Sequence, residues 1–129
     1  MRNSGQEGFS LLGVLIAVMI IGIVATIAVP KFNAAIAAAN TAKIEADLST
    51  LDSAILVYET EHGAPPSEIN ALDGYVNDVA KLAPPKGKCL LKGIGETTIE
   101  STAYGLKAGP GAEEHRATLD GHTSGDFGR

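Results

Sequence analysis

The chain has 129 residues, with 10 Lys or Arg against 15 Asp or Glu, a net charge of −5. That length suits one small domain plus one long element, and the acidic balance argues against wholesale binding to nucleic acid or anionic lipid. A single cysteine, Cys89, excludes an internal disulfide and a cysteine-built zinc site, so a domain this small must draw support from a long helix or from copies of itself.

Residues 1–8, MRNSGQEG, are short and polar, and residues 9–29, FSLLGVLIAVMIIGIVATIAV, carry no charge between Glu7 and Lys31. As a helix the uncharged run spans roughly 31 Å, about the ~30 Å hydrocarbon thickness of a bilayer. It is longer than the apolar region of a conventional signal peptide, although Ala37-Ala38-Ala39 has the small residues of a cleavage site. Length alone also fits a simple membrane anchor.

The segment GFSLLGVLIAVMIIGIVATIAVPKF carries more. A polar leader ending in Gly8, then Phe9, the uncharged run, and Pro30 followed by an amphipathic helix resemble the class III leader and stem of type IV pilins and type II secretion pseudopilins. The resemblance is close over residues 1–35 and looser over residues 36–75, where VYETEHGAPPSEINAL resembles the end of the pseudopilin helix. It implies that a prepilin peptidase cuts between Gly8 and Phe9 and methylates the Phe9 nitrogen. It also implies other pilin or pseudopilin subunits and inner-membrane assembly machinery as partners. The family usually has glutamate at the fifth position after the cut, and this chain has Gly13 there. Arg2 is opposed by Glu7 in the leader, with Lys31 and Lys43 beyond the run, so basic flanks do not decide orientation. The resemblance places the leader in the cytoplasm of a bacterium. The chain then crosses the inner membrane once, and the C-terminal head lies outside the cytoplasm before joining a filament.

Pro30 lacks an N–H and conflicts with the carbonyl of Thr26, Gly22 weakens a helix interior by roughly 1 kcal/mol, and IVATIAV between them is rich in β-branched residues. Gly22, Thr26 and Pro30 therefore define an expected stem hinge. Beyond Pro30, the residues Phe32, Ile36, Ile44, Leu48, Leu51, Ile55 and Tyr58 recur at helical spacing and form one apolar stripe. Six alanines between Ala34 and Ala42 permit close helix approach. His62-Gly63 and Pro65-Pro66 end the helix.

The expected organisation is a leader (1–8), a membrane or filament-core helix (9–29), its amphipathic continuation (30–62) and a small head (63–129). In the head, Ser67 is placed to cap a short helix over residues 68–73, and another helical turn or two covers residues 75–82. Residues 88–94, 97–108 and 114–119 read as a three-stranded antiparallel meander. Its inward residues would be Leu90, Ile94, Ile99, Tyr104, Leu106 and Leu119, packed on the apolar stripe. The fold class is α+β and pilin-like. In the polar tail, Asp120, Ser124 and Asp126 are oxygen donors at the place where related major pseudopilins bind calcium. Two carboxylates are a thin supply for an ion taking 6–8 oxygens, and no other cofactor is implied. The spacing of His115 and His122 matches no zinc pattern.

No catalytic constellation or phosphate loop is present in the sequence, so an enzyme is not expected. Lys81, Lys86, Lys88 and Lys92 form a basic cluster free of acids. It is a solvated face, a docking patch for a neighbour's Glu45, Asp47 and Asp52, or a DNA contact. The leading function is a structural subunit of a type II secretion pseudopilus. The alternatives are a type IV or competence pilus subunit and a membrane-anchored binding module that never polymerises.

Overall fold

A computed structural model describes residues 4–107 and 115–129 of the chain. One helix, α1 (Ser4–His62), is followed by two 3₁₀ turns (Ile69–Leu72 and Val79–Lys81) and four short strands: β1 (Lys88–Leu91), β2 (Gly95–Thr98), β3 (Gly105–Lys107) and β4 (Arg116–Thr118). A last 3₁₀ turn covers Ser124–Asp126. The chain forms two compact units, residues 1–35 and 36–129.

In the first unit every large apolar side chain from Leu11 to Val29 is exposed. The helix is unbroken through Pro30, and the Thr26 hydroxyl donates to the Ile23 carbonyl at 2.7 Å. A Cβ added at Gly13 or Gly22 would meet nothing within 4 Å. Among the described residues no contact therefore requires glycine at either place.

In the second unit the C-terminal part of α1 buries Ala37, Thr41, Ile44, Leu48, Leu51, Ala54 and Ile55, steps of three and four that keep one face inward. Against this face pack Leu72, Val76, Val79, Cys89, Leu91, Tyr104, Ala117, Leu119 and Phe127, with Tyr58 at the margin. The expected stripe is correct from Ile44 onward. Its first two members are not core, because Phe32 is 68% and Ile36 55% exposed, and the head's packing starts at Ala37. The α+β arrangement, one long helix on small antiparallel sheet, is as the sequence indicated.

The three-stranded meander is not formed. β1 pairs with β2, Lys88 opposite Thr98 and Leu91 opposite Gly95, and β3 pairs separately with β4, Gly105 opposite Thr118. The expected strand 97–108 is interrupted because the Asp120 carboxylate accepts the N–H groups of Glu100 and Ser101 at 3.1 and 3.0 Å. Those donors are satisfied away from a ladder, so the chain bends there. Burial follows the new register: Cys89 and Leu91 face inward, while Leu90, Ile99 and Leu106 are half-buried. Ile94 is 69% exposed, because the tight β1–β2 connection, with Gly93 and Gly95 at φ +80° and +93°, swings it outward.

The helix end is as expected: Gly63, at φ +71°, donates its N–H to the Glu59 carbonyl at 2.8 Å. The two helical stretches of the head shrink to 3₁₀ turns. Glu68, not Ser67, occupies the cap of the first, without a side-chain cap bond, and Asp78 enters the second in the left-handed region at φ +54°.

Candidate functional site

The functional surface of the first unit is built from composition alone. From Ser10 to Val29 the described side chains are uncharged, and all but Ala28 are exposed. An apolar surface of that extent does not persist in water; lipid or other helices must cover it. The helix is long and apolar enough to cross a membrane. Gly8 and Phe9 lie within the first turns of α1, and the side-chain surroundings of Phe9 lie outside the described residues.

In the second unit the helix is joined to the head by polar contacts as well as by the core. Asn40 donates to the carbonyls of Lys88 and Lys86 at 2.9 and 3.2 Å. The buried Thr41 hydroxyl accepts the Leu90 N–H at 2.7 Å and donates to the Ala37 carbonyl. One turn of α1 therefore holds β1 and the residues leading into it. Further along, Asp52 accepts the Ala117 N–H at 2.8 Å on one oxygen and Arg116 Nη2 and Nε at 2.9 and 3.2 Å on the other. Arg116 Nη2 also donates to Ser124 Oγ at 2.9 Å. Tyr104 donates to Asp47 at 2.6 Å. Burial first, and then that hydrogen bond and the charge of Asp47, push the Tyr104 phenol well above its ordinary value.

These contacts remove two of the three acids expected to receive a neighbour's lysines: Asp47 is held by Tyr104 and Lys43, and Asp52 by Arg116. The basic cluster itself is spread over several elements. Lys81, on the second 3₁₀ turn, pairs with Asp78 at 3.2 Å; Lys88, on β1, faces Glu96 at 3.5 Å; and Lys92 donates to the Gly125 carbonyl at 2.8 Å. All four lysines, Lys86 included, are exposed.

The calcium candidates do not form one cage. Asp120 binds the backbone of Glu100 and Ser101, Ser124 binds Arg116, and Asp126 accepts the Thr123 N–H and hydroxyl at 2.8 and 3.1 Å. For Asp120, burial raises the carboxyl pKa, but hydrogen bonds from Ser101 and the Glu100 N–H outweigh it and hold it low; for Asp126 the Thr123 bonds lower it outright. Among the described residues no group of three or more His, Cys, Asp or Glu is placed to hold a metal ion. The donor set does not fit calcium, since the three side chains bind different partners, and both Asp120 oxygens, one Asp126 oxygen and Ser124 Oγ already receive N–H or O–H donors.

Cys89 is buried at 2% exposure, and burial, with the nearby Asp120 charge, raises its thiol pKa, the setting of an inert packing residue. It lines a shallow cavity of about 180 Å³ with Thr97, Asp120 and His122. The residues that sequence reading missed are Asn40, Thr41, Arg116 and Phe127, and for Asp52 it missed the role within the chain. Asn40 and Thr41 interrupt the alanine run on the buried side of α1, and Phe127 is the one aromatic residue of the polar tail. Those two signals were legible. The role of Asp52 depends on Ala117, which is 65 positions away.

Residues 3–29 match the family described as the prokaryotic N-terminal methylation motif. The chain is 29% identical to the type II secretion system core protein G of Aeromonas hydrophila over 86 residues, 67% of this chain and 60% of that protein. It is 27% identical to the core protein G of Klebsiella michiganensis over 88 residues, 68% of this chain and 61% of that one. The chain thus spans about three fifths of the length of these relatives. No solved structure matches it significantly. The uncharged helix behind Gly8-Phe9 thus matches the prokaryotic N-terminal methylation motif, in a chain similar over two thirds of its length to the type II secretion system core protein G.

Proposed function

We propose that this chain is a structural subunit of a type II secretion pseudopilus, with no catalytic role of its own. Prepilin peptidase cuts it between Gly8 and Phe9 and methylates Phe9. The apolar helix holds the subunit in the inner membrane, head outside the cytoplasm, and then packs among the helices of other subunits. The observation that carries this reading is the motif at residues 3–29 on a helix whose apolar side chains are exposed along their whole run. Pro30, which removes one helical hydrogen-bond donor, and Gly22, a weak helix former, serve as the hinge that lets the stem adjust on assembly.

Gly13 adds a finer proposal. A glutamate there would offset the ammonium of a neighbour's amino terminus in an apolar core, where an unpaired charge is costly. Gly13 cannot, so this subunit suits an initiating or tip position that needs no such partner. Co-expression with prepilin peptidase, followed by mass spectrometry of the membrane fraction, tests the first claim: the expected product begins at N-methyl-Phe9. An intact Met1 terminus would falsify the processing. Recovery of the chain in adhesive or DNA-uptake pili instead of the secretion pseudopilus would move it to the alternative class. Counting copies in purified filaments tests the Gly13 reading, which fails if this chain is the most abundant subunit.

A further inference from the structure

The tail is held more firmly than its composition suggests. After β4, Leu119 and His122 exchange both backbone hydrogen bonds at 2.9 Å across the Asp120-Gly121 turn. Thr123 and Asp126 then close a reciprocal cap on the last 3₁₀ turn. Phe127 is 2% exposed and bridges to Leu91. The tail thereby lies along the edge of β1 that β2 leaves open: the Lys92 N–H donates to the Asp126 carbonyl at 2.9 Å and the Gly128 N–H to the Leu90 carbonyl at 3.0 Å.

A loop that must bring carboxylates, a hydroxyl and backbone carbonyls together commonly does so around calcium, which gathers 6–8 oxygens at 2.3–2.6 Å. Here the corresponding oxygens point at the chain's own cations and N–H groups. The Gly125 carbonyl takes the Lys92 ammonium at 2.8 Å. Ser124 Oγ takes Arg116 Nη2 at 2.9 Å, and the same nitrogen lies 2.9 Å from Asp52. Both oxygens of Asp120 and one of Asp126 are filled by backbone donors. A divalent cation would have to displace these donors and sit beside a fixed guanidinium, whose like charge opposes it.

We propose that Lys92 and Arg116 fasten the C-terminal loop in place of a divalent metal, so that the head folds and holds its tail without calcium. Arg116 ties the loop to α1 through Asp52, and Lys92 ties it to the β1–β2 turn. This assignment rests on the head's contacts and is independent of the filament role.

The full-length protein in detergent micelles tests it. Thermal melting and amide hydrogen exchange are followed in EGTA, in millimolar calcium, and in millimolar magnesium as a control. A metal bound at a hundredfold excess over its dissociation constant lifts the melting temperature of a domain this size by roughly ten degrees or more. The expected result is no shift, with the Lys92 and Gly128 amides equally protected in all three conditions. A saturable, calcium-specific rise in melting temperature or protection overturns the proposal. Lys92→Gln and Arg116→Gln are each expected to speed exchange of those amides about tenfold, with or without calcium. If Arg116→Gln does not fold, Lys92→Gln decides alone, because its side chain is exposed and makes one bond to the loop. Unchanged protection in that variant also overturns the proposal.

Discussion

Asp52 is where one side chain commands the most structure. Its carboxylate is the meeting point of α1, β4 and the tail, accepting from the Ala117 N–H and from the Arg116 guanidinium, which also donates to the Ser124 hydroxyl. Asp52→Ala leaves a buried backbone N–H and a guanidinium without their acceptor, and the loss is expected to be about 2 kcal/mol, read as a lower melting temperature of the full chain in detergent. Asp120 acts differently, through pH. Its folded-state pKa lies below the ordinary carboxylate value because Ser101 and Glu100 donate to it. The unfolded state therefore binds the proton more readily, so this stability is present above pH ~4 and lost as pH falls through the folded pKa. Melting temperature should drop from pH 5 toward pH 3, and Asp120→Asn should flatten that slope. An unchanged slope in the variant would show that other carboxylates carry the acid sensitivity.

At the level of elements, α1 has different tasks on its two faces. Leu48 is fully buried at 0% exposure among the head's apolar residues, and Leu48→Ala is expected to cost about 3 kcal/mol from lost transfer energy and the cavity left behind. Ser49, exposed one position on, should tolerate alanine within about 0.5 kcal/mol. Denaturant titration of the two variants side by side checks the assignment of faces. The helix terminus makes a sharper case. Gly63 sits at φ +71° with open space where a Cβ would go, so Gly63→Ala meets backbone strain and no clash, a loss of about 1 kcal/mol. A neutral Gly63→Ala would mean that the left-handed turn is not needed to end the helix.

For the whole molecule, the exposed apolar run governs behaviour. The protein is expected to require detergent or lipid, and Gly8→Val to leave it unprocessed in the membrane, as detected by the mass of its amino terminus. Much of this was legible in the sequence, for a physical reason. An uncharged helix of bilayer length declares itself through composition, and its partner is a solvent phase or further apolar helices instead of particular residues elsewhere in the chain. The stripe from Ile44 to Tyr58 was legible likewise, because helical periodicity is local, and so was the stop at Gly63. The head was not. Strand 97–108 looked continuous, yet it breaks where a carboxylate 19 to 20 positions away takes its N–H groups. Asp120, Ser124 and Asp126 resembled a metal loop by residue type. Only in three dimensions do Arg116, Lys92 and backbone donors meet most of the oxygens of that loop. Composition and helical periodicity alone specified the membrane-length stem and, from Ile44 onward, the buried face of the helix. Folding decided the two separate hairpins, the grip of Asn40 and Thr41 on β1, and the clasp of the tail, because a hydrogen bond's partner is chosen by distance in space.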